Sequence, residues 1–326
     1  MKNFYMQLAL NEAWKYQFLT YPNPAVGCVI LDKNEKILSI SAHQKAGEAH
    51  AELNAIKEAL KNLKSEFNFP KKADDLYHFI LKNHQNLLKN ATAFVTLEPC
   101  NHQGKTPPCA KLLAELGFKK VFISVKDENK IASGGAEFLQ KQGIEVEFEL
   151  LCKQGEKLLK PFLKWQKGSF KLFKLALSLN GSAYGKIVSS EESRTYAHQI
   201  RSVIDMLVVG GETIRKDRPL LDSRLVKAKA PHVCIMTRKS LESFDKNIPL
   251  FSVPKRQIFT QIPKEAKFLM FEGGENFLKN FKDEMDCFLI FQNSKLNTQN
   301  NVKISLELTP MYKGFLGSDT YGIYEL

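Results

Sequence analysis

The stretch from residue 92 to residue 125 constrains the fold more than any other. Thr92-Ala93-Phe94-Val95-Thr96-Leu97 is an apolar run of strand length, and Val121-Phe122-Ile123-Ser124-Val125 is a second. Between them Pro107-Pro108 opens a helix, Leu112, Leu113 and Leu116 supply its apolar positions, and Gly117 closes it. Strand, helix and strand in that order imply a parallel pair joined by a crossover, so the chain is α/β.

The flanking sequence extends this pattern. Leu8, Ala9, Ala13 and Trp14 have helical spacing ahead of the turn Pro22-Asn23-Pro24. Two short apolar runs, residues 26–31 and 37–40, flank a hairpin-like polar turn at residues 32–36. Leu53, Ile56, Leu60 and Leu63 recur at steps of three and four, as on an amphipathic helix. An inserted segment, residues 64–90, has partial helical periodicity at Leu76, Phe79, Ile80, Leu87 and Leu88. Its histidines, His78 and His84, read as surface residues with no chemistry assigned. A second α/β unit begins near Phe170, with strands expected at 172–179, 206–209, 232–236, 257–259, 268–271 and 287–291 and a helix at 191–201. The 326 residues suggest two domains, 1–150 and 168–326, with a linker where Lys and Gln become frequent.

Composition excludes whole classes. At 44% hydrophobic and 25% charged, the chain is neither disordered, collagen-like nor a small disulfide scaffold. A net charge of +12 favours an anionic partner, which a phosphorylated small molecule satisfies as well as a nucleic acid does. Asn11, Glu12 and Lys15 interrupt the first apolar stretch, so it does not read as a signal peptide. No run reaches the ~18–20 apolar residues of a membrane span. The six scattered cysteines then read as reduced thiols, and the expectation is a soluble cytoplasmic protein.

Chemistry concentrates in His50-Ala51-Glu52, Pro99-Cys100 and Pro108-Cys109. One imidazole and two thiolates leave an open fourth position on tetrahedral Zn2+, as catalytic zinc requires. Glu52 is a proton carrier rather than a ligand: a carboxylate beside metal-activated water can deliver its proton to a leaving amine. Residues two apart on a helix point about 200° from each other. His50 is therefore expected at the helix opening, where its side chain leaves before regular geometry begins. Cys109, in the first turn after Pro107-Pro108, gains thiolate character from the helix dipole. This is the pattern of the zinc deaminases. Cys28, Cys152, Cys234 and Cys287 lack such company and read as core or surface thiols.

YPNPAVGCVI, HQKAGEAHAE and TLEPCNHQGKTPPC resemble the deaminase half of the bifunctional riboflavin-biosynthesis deaminase–reductase family. Nucleoside and tRNA deaminases usually place two residues between the cysteines, whereas Cys100 and Cys109 enclose eight. The resemblance implies a cytidine-deaminase-like three-layer domain in which Asn23, His43, His102 and Lys105 line the pyrimidine and ribose-phosphate site. KLALSLNG, TIRKDRPLLDSR and FEGGENF resemble the family's dihydrofolate-reductase-like second domain. By position, Ala176, Thr213, Asp217, Thr237, Gly274, Glu275, Asn276, Phe277, Leu278, Lys279 and Asn280 are then the expected NADPH contacts. Arg201, Leu221, Arg224 and Glu272 are the expected contacts of the ribose-phosphate substrate, arginine presenting a planar fork to phosphate.

Three positions depart from the family pattern. Asn180 stands where aspartate is usual, Arg218 where aspartate or asparagine is usual, and the stretch Tyr184-Gly185-Lys186-Ile187 lacks the usual tryptophan. The insertion at 64–90 is a further departure. The implied activity is deamination of a phosphorylated diaminopyrimidine followed by NADPH-dependent reduction of its ribosyl group, in a homo-oligomer that engages neither nucleic acid nor membrane. The rivals are a deaminase of a nucleic-acid base with a degenerate second domain, and a structural-zinc RNA-binding protein. The cysteine spacing and the reductase-like motifs count against the first. The second requires a fourth protein ligand that the sequence does not supply.

Overall fold

The computed structural model describes residues 1–102, 107–128, 133–183 and 188–326. They fall into two compact units, Met1–Phe162 and Leu163–Leu326.

In the first unit, strands β1 (Gly27–Leu31), β2 (Ile37–Ala42), β3 (Thr92–Leu97), β4 (Lys120–Val125) and β5 (Glu145–Glu147) form one sheet in the order β2-β1-β3-β4-β5. β1 runs antiparallel to β2 and β3, while β3, β4 and β5 are parallel. Side chains alternate across a strand, so Cys28, Ile30, Ala93, Val95, Val121 and Ile123 share one face and one core. Helices α2 (Ala51–Leu63), α3 (Ala73–Asn83), α4 (Cys109–Glu115) and α5 (Gly135–Lys141) cover that face, through Leu53, Ile56, Leu76, Ile80, Leu112 and Leu139 among others. On the other face Phe94 stacks on Phe122, and Tyr5 of α1 (Lys2–Trp14) meets Phe94 at 5.3 Å. α1 lies so close that a Cβ at Gly27 would stand 2.0 Å from the Ala9 carbonyl oxygen. Three layers result, as the resemblance implies.

The inserted segment is part of this core rather than an appendage. Leu76, Tyr77, Ile80 and Leu88 are buried in it, and Phe67, Phe69 and Phe79 pack against one another beside it. His78 is exposed and pairs with Asp74.

Where a linker is expected, the structure has a 16-residue helix, α6 (Cys152–Lys167). Gly155, Leu158, Leu159 and Trp165 recur at helical spacing and are buried, while none of the helix's lysines is. The border between the units falls within this helix.

The second unit is built on β6 (Phe170–Leu177), β7 (Met206–Gly210), β8 (His232–Met236), β9 (Ile258–Phe259), β10 (Phe268–Glu272), β11 (Cys287–Gln292), β12 (Thr309–Leu316) and β13 (Asp319–Glu325). The order is β12-β13-β11-β6-β10-β7-β8-β9, parallel from β11 through β9 and antiparallel at β13 and β12. Its central strands are buried on both faces, which is why 206–209 and 268–271 read as unbroken apolar runs. Helices α7 (Glu191–Val203), α8 (Gly211–Asp217) and α9 (Glu275–Phe281) connect them. No helix among the described residues is long and apolar enough to cross a membrane.

Candidate active sites

In the first unit, α2 begins at Ala51 with His50 as its N-cap, at φ −66° and ψ 166°. Because His50 is extended while Glu52 is already helical, two residues that a regular helix would separate converge. Pro108 is the N-cap of α4, which places Cys109 at the first helical position. Cys100 follows β3 by three residues and accepts the Cys109 backbone N–H at 3.4 Å. Nδ1 of His50 lies 3.6 Å from Sγ of Cys100 and 3.6 Å from Sγ of Cys109, and the three ligand atoms lie within 4.8 Å of one another.

The donor set fits zinc. Metal–sulfur bonds of about 2.3 Å and metal–nitrogen bonds of about 2.05 Å at a tetrahedral angle separate N from S by about 3.6 Å. Both observed N···S separations have that value.

The electrostatics suit the roles. The hydrogen bond from Cys109 brings the Cys100 thiol down to about 4, against burial and with help from His50, while Cys109 is pushed up. The two therefore share a proton that a cation would displace. Burial raises Glu52 to about 7, reinforced by the Cys100 charge and opposed by His50 and Cys109. A carboxyl balanced near neutrality can both take and give a proton.

Of the expected substrate residues, Asn23 and His43 form one unit. His43 is buried, which pushes it down to about 4 and keeps the ring neutral. Its Nδ1 lies 3.0 Å from the Ala49 carbonyl, so Nδ1 carries the proton and Nε2 accepts from Asn23 Nδ2 at 3.1 Å. The His43 ring meets His50 edge-on at 5.5 Å. Nδ1 of His102 is buried without a hydrogen-bond partner among the described residues. Lys105 lies outside the described residues. Tyr77 was not singled out from the sequence, yet its hydroxyl reaches the Pro108 carbonyl at 3.5 Å, next to Cys109. Nothing in a partly periodic insertion signals such a contact.

In the second unit the expected cofactor residues gather at the carboxyl ends of parallel strands, where open α/β sheets bind ligands. Ala176 is near the end of β6, Thr213 is in α8 just after β7, Thr237 follows β8, and Gly274 follows β10. Gly274 caps α9 without a side-chain hydrogen bond, and the space a Cβ would take there is open, which leaves room for an anion at the first N–H groups of the helix. The side chains beyond it point elsewhere. Leu278 is in the core, and Phe277 packs on Phe271 and Phe281, so these positions can offer only backbone. Glu275 is engaged by Lys279 and by the Lys303 N–H; Asn276, Lys279 and Asn280 share its short helix. Asp217 is exposed at the end of α8.

The expected phosphate contacts separate into two kinds. Arg201 already holds Glu272 with both arms of its fork, at 3.0 and 2.7 Å, and donates to the Asp222 carbonyl. Burial pushes Glu272 up, but Arg201 and Lys174 outweigh it and hold the carboxyl at about 2. Arg224 is exposed and meets only Asp222 among the described carboxylates. Leu221 sits at φ +54°, and Arg256 holds that strained turn, donating to the carbonyls of Leu220, Leu221, Pro231 and Leu250. A lone arginine 35 residues from the turn it supports leaves no mark in the sequence.

The departures have local explanations. Asn180 donates to the Asn297 carbonyl and to Asn301, while accepting from Ser178 and from the Asn297 N–H. An ionised aspartate could not donate. Arg218 pairs with Asp245 at 2.7 Å. The stretch 184–187 lies outside the described residues.

Residues 1–125 match the cytidine and deoxycytidylate deaminase zinc-binding region, and residues 173–282 match the RibD C-terminal domain. The chain is 35% identical over 276 residues to the riboflavin biosynthesis protein RibD of Bacillus amyloliquefaciens, covering 82% of this chain and 67% of that one. It is 41% identical over 162 residues to the diaminohydroxyphosphoribosylamino-pyrimidine deaminase of Buchnera aphidicola subsp. Schizaphis graminum, covering 49% of this chain and 92% of that protein. The crystal structure of a diaminohydroxyphosphoribosylaminopyrimidine deaminase/5-amino-6-(5-phosphoribosylamino)uracil reductase from Thermotoga maritima superposes with a TM-score of 0.65. It is 25% identical and covers 99% of this chain and 98% of its own. The alignments span 54–67% of the length of five curated RibD relatives.

Proposed function

Since the chain belongs to the RibD family of riboflavin-biosynthesis deaminase–reductases, we propose that it carries out two successive reactions. The first is hydrolytic deamination of 2,5-diamino-6-(5-phosphoribosylamino)pyrimidin-4(3H)-one in residues 1–150. The second is NADPH-dependent reduction of the ribosyl group of 5-amino-6-(5-phosphoribosylamino)uracil to ribityl in residues 168–326. The observation that carries the reading is the His50, Cys100 and Cys109 triangle, with the carboxyl of Glu52 buried two residues from His50.

In the first reaction His50, Cys100 and Cys109 would hold zinc, and no fourth side-chain ligand joins them among the described residues. Bound zinc lowers the pKa of water and so supplies a nucleophile at neutral pH. Glu52 would take a proton from the attacking water and pass it to the departing amine. Its burial keeps this shuttle out of bulk solvent. Asn23, fixed by neutral His43, keeps its carbonyl oxygen and second N–H for the pyrimidine edge. His102, whose Nδ1 has no partner among the described residues, and the basic Lys105 are the groups for the ribose phosphate.

In the second reaction NADPH supplies the hydride. Gly274 and the first turn of α9 would receive a phosphate of the cofactor, and Thr213 and Thr237 follow the carboxyl ends of the nearby strands β7 and β8. Arg224 takes the substrate phosphate, because its guanidinium is accessible. The Arg201–Glu272 pair, already closed, orients the ribosyl hydroxyls rather than the phosphate. The match of residues 173–282 to a reductase domain supports this over a nucleic-acid deaminase with a degenerate second half. The enzyme is further proposed to be cytoplasmic and homo-oligomeric, the latter read by light scattering.

The test is purified protein given the diaminopyrimidine phosphate with and without NADPH. Ammonia should appear in both cases, and NADPH should be consumed only when deamination precedes it. In Glu52→Gln zinc should stay while deamination falls by about 10²–10⁴-fold. Reduction of supplied aminouracil phosphate by that variant should continue. A native protein that deaminates but never oxidises NADPH would remove the second half of the proposal.

A further inference from the structure

Glu98 is a buried carboxylate to which the reaction just described gives no task. It is 4% exposed, immediately follows β3, and stands two residues before Cys100. Among the described residues no cation pairs with it. Three backbone N–H groups do: Oε2 accepts from Asp127 at 3.1 Å, and Oε1 accepts from Gly134 at 3.1 Å and Ala136 at 3.0 Å. A buried carboxylate is expensive unless its lone pairs are satisfied, and these bonds satisfy it.

The segment it grips lies against the chain neighbours of both thiolate ligands. Gly135 lies against the peptide just before Cys100, so closely that a Cβ there would stand 1.8 Å from the Pro99 carbonyl oxygen and 3.4 Å from Cβ of Ala110. Ala110 is the neighbour of Cys109, and its N–H donates to the Cys100 carbonyl at 3.2 Å. Asn101 adds a bond of 3.4 Å to the Gly134 carbonyl. One carboxylate therefore draws the start of α5 onto the Pro99–Cys100 peptide and onto the first turn of α4.

We propose that Glu98 is the positioning residue of the metal centre: by clamping residues 134–136 over both ligand segments, it sets the separation of the Cys100 and Cys109 sulfurs. The proposal rests on the zinc reading above and adds an outer residue that touches neither metal nor substrate. The charge type matters, because all three partners are donors. A glutamine would keep one acceptor oxygen and turn an NH₂ group against a backbone N–H. Outer groups that orient metal ligands commonly change metal affinity by about 10–100-fold when removed.

The experiment uses the full chain and zinc alone. Zinc affinity is measured by competition with a chromophoric chelator, and amide exchange is followed at Gly134 and Ala136. The variants are Glu98→Gln and, as a control for general loosening, Val121→Ala, a fully buried site near the opposite end of β4. In Glu98→Gln the zinc dissociation constant should rise by about 10–100-fold, the two amides should exchange faster, and the Co²⁺-substituted protein should show an altered ligand-field spectrum. Val121→Ala should lower the melting temperature and leave zinc affinity and the Co²⁺ spectrum unchanged. If Glu98→Gln does not fold, Glu98→Asp, which keeps the charge but shortens the reach, is read by the same measurements. Wild-type zinc affinity in a folded Glu98 variant, or weakening no greater than in Val121→Ala, would overturn the proposal. Wild-type protein that binds no zinc would instead bring down the zinc reading itself.

Discussion

Replacing Glu272 by Gln removes the charge from one partner of a buried ion pair and leaves Arg201 and Lys174 facing each other without a counter-charge. The Arg201 and Glu272 side chains are 12% and 13% exposed, so solvent does little to replace the lost partner. Breaking one side of such a pair costs about 3–5 kcal/mol. Proton linkage gives a similar magnitude. A carboxyl held at about 2 instead of its ordinary 4.5 contributes about 3 kcal/mol once both folded and unfolded forms are ionised. The sign follows from the depressed value: the contribution is fully present above about pH 5.5 and is lost as pH falls toward 2. At pH 3.5 it should have dropped to about 2 kcal/mol. The chain has two tryptophans, Trp14 in the first unit and Trp165 in the second, where Trp165 stacks on Phe268 at 5.5 Å. In a Trp14→Phe background, urea unfolding followed by Trp165 fluorescence therefore reports on the unit that holds Glu272. The difference between the parent and Glu272→Gln should be about 3 kcal/mol at pH 7 and should narrow at pH 3.5. A difference below about 1 kcal/mol at pH 7, or one independent of pH, would refute the account of this pair.

Cys109→Ser replaces a thiolate with a hydroxyl that stays protonated, so zinc content and deamination should fall together; elemental analysis beside an ammonia assay checks this, and normal zinc with normal activity defeats the ligand assignment. Arg224→Ala should raise KM for aminouracil phosphate by about tenfold or more, the worth of one charge-assisted hydrogen bond, with zinc content and deamination unchanged. Arg256→Lys keeps the charge but cannot span the carbonyls of Leu220, Leu221 and Pro231, so the reductase KM should rise while deamination is spared. An unchanged reductase KM in that variant would mean that the turn at Leu221 holds itself.

Local chemistry made much of the first unit legible. The βαβ stretch from Thr92 to Val125 and the capping of α4 by Pro108 follow from neighbours in the chain. His50 could be placed at a helix opening because helical geometry forbids its convergence with Glu52 otherwise. Elements whose burial is supplied by distant partners were harder to see. The hairpin of β12 and β13 went unread because β12 is an edge strand, largely exposed and interrupted by Pro310, Lys313 and Gly314. Helix α6 reads as a linker in the sequence because its lysines dominate the composition, while Leu158, Leu159 and Trp165 carry its packing.

By itself the sequence determined which groups are available: an imidazole and two thiols that can hold zinc, an acid two residues from the first ligand, and two α/β halves, each set by spacing and side-chain chemistry. Only the tertiary structure decided how those groups are committed. It closed Arg201 onto Glu272 and left Arg224 exposed beside Asp222, turned Leu278 into the core, and folded the 64–90 insertion into the first unit with Tyr77 against Pro108. It also set Glu98 against three distant N–H groups. The reason is physical: a side chain's chemistry is local, but its charge state and partners depend on what burial brings within about 3 Å of it, across separations in sequence that no spacing rule spans.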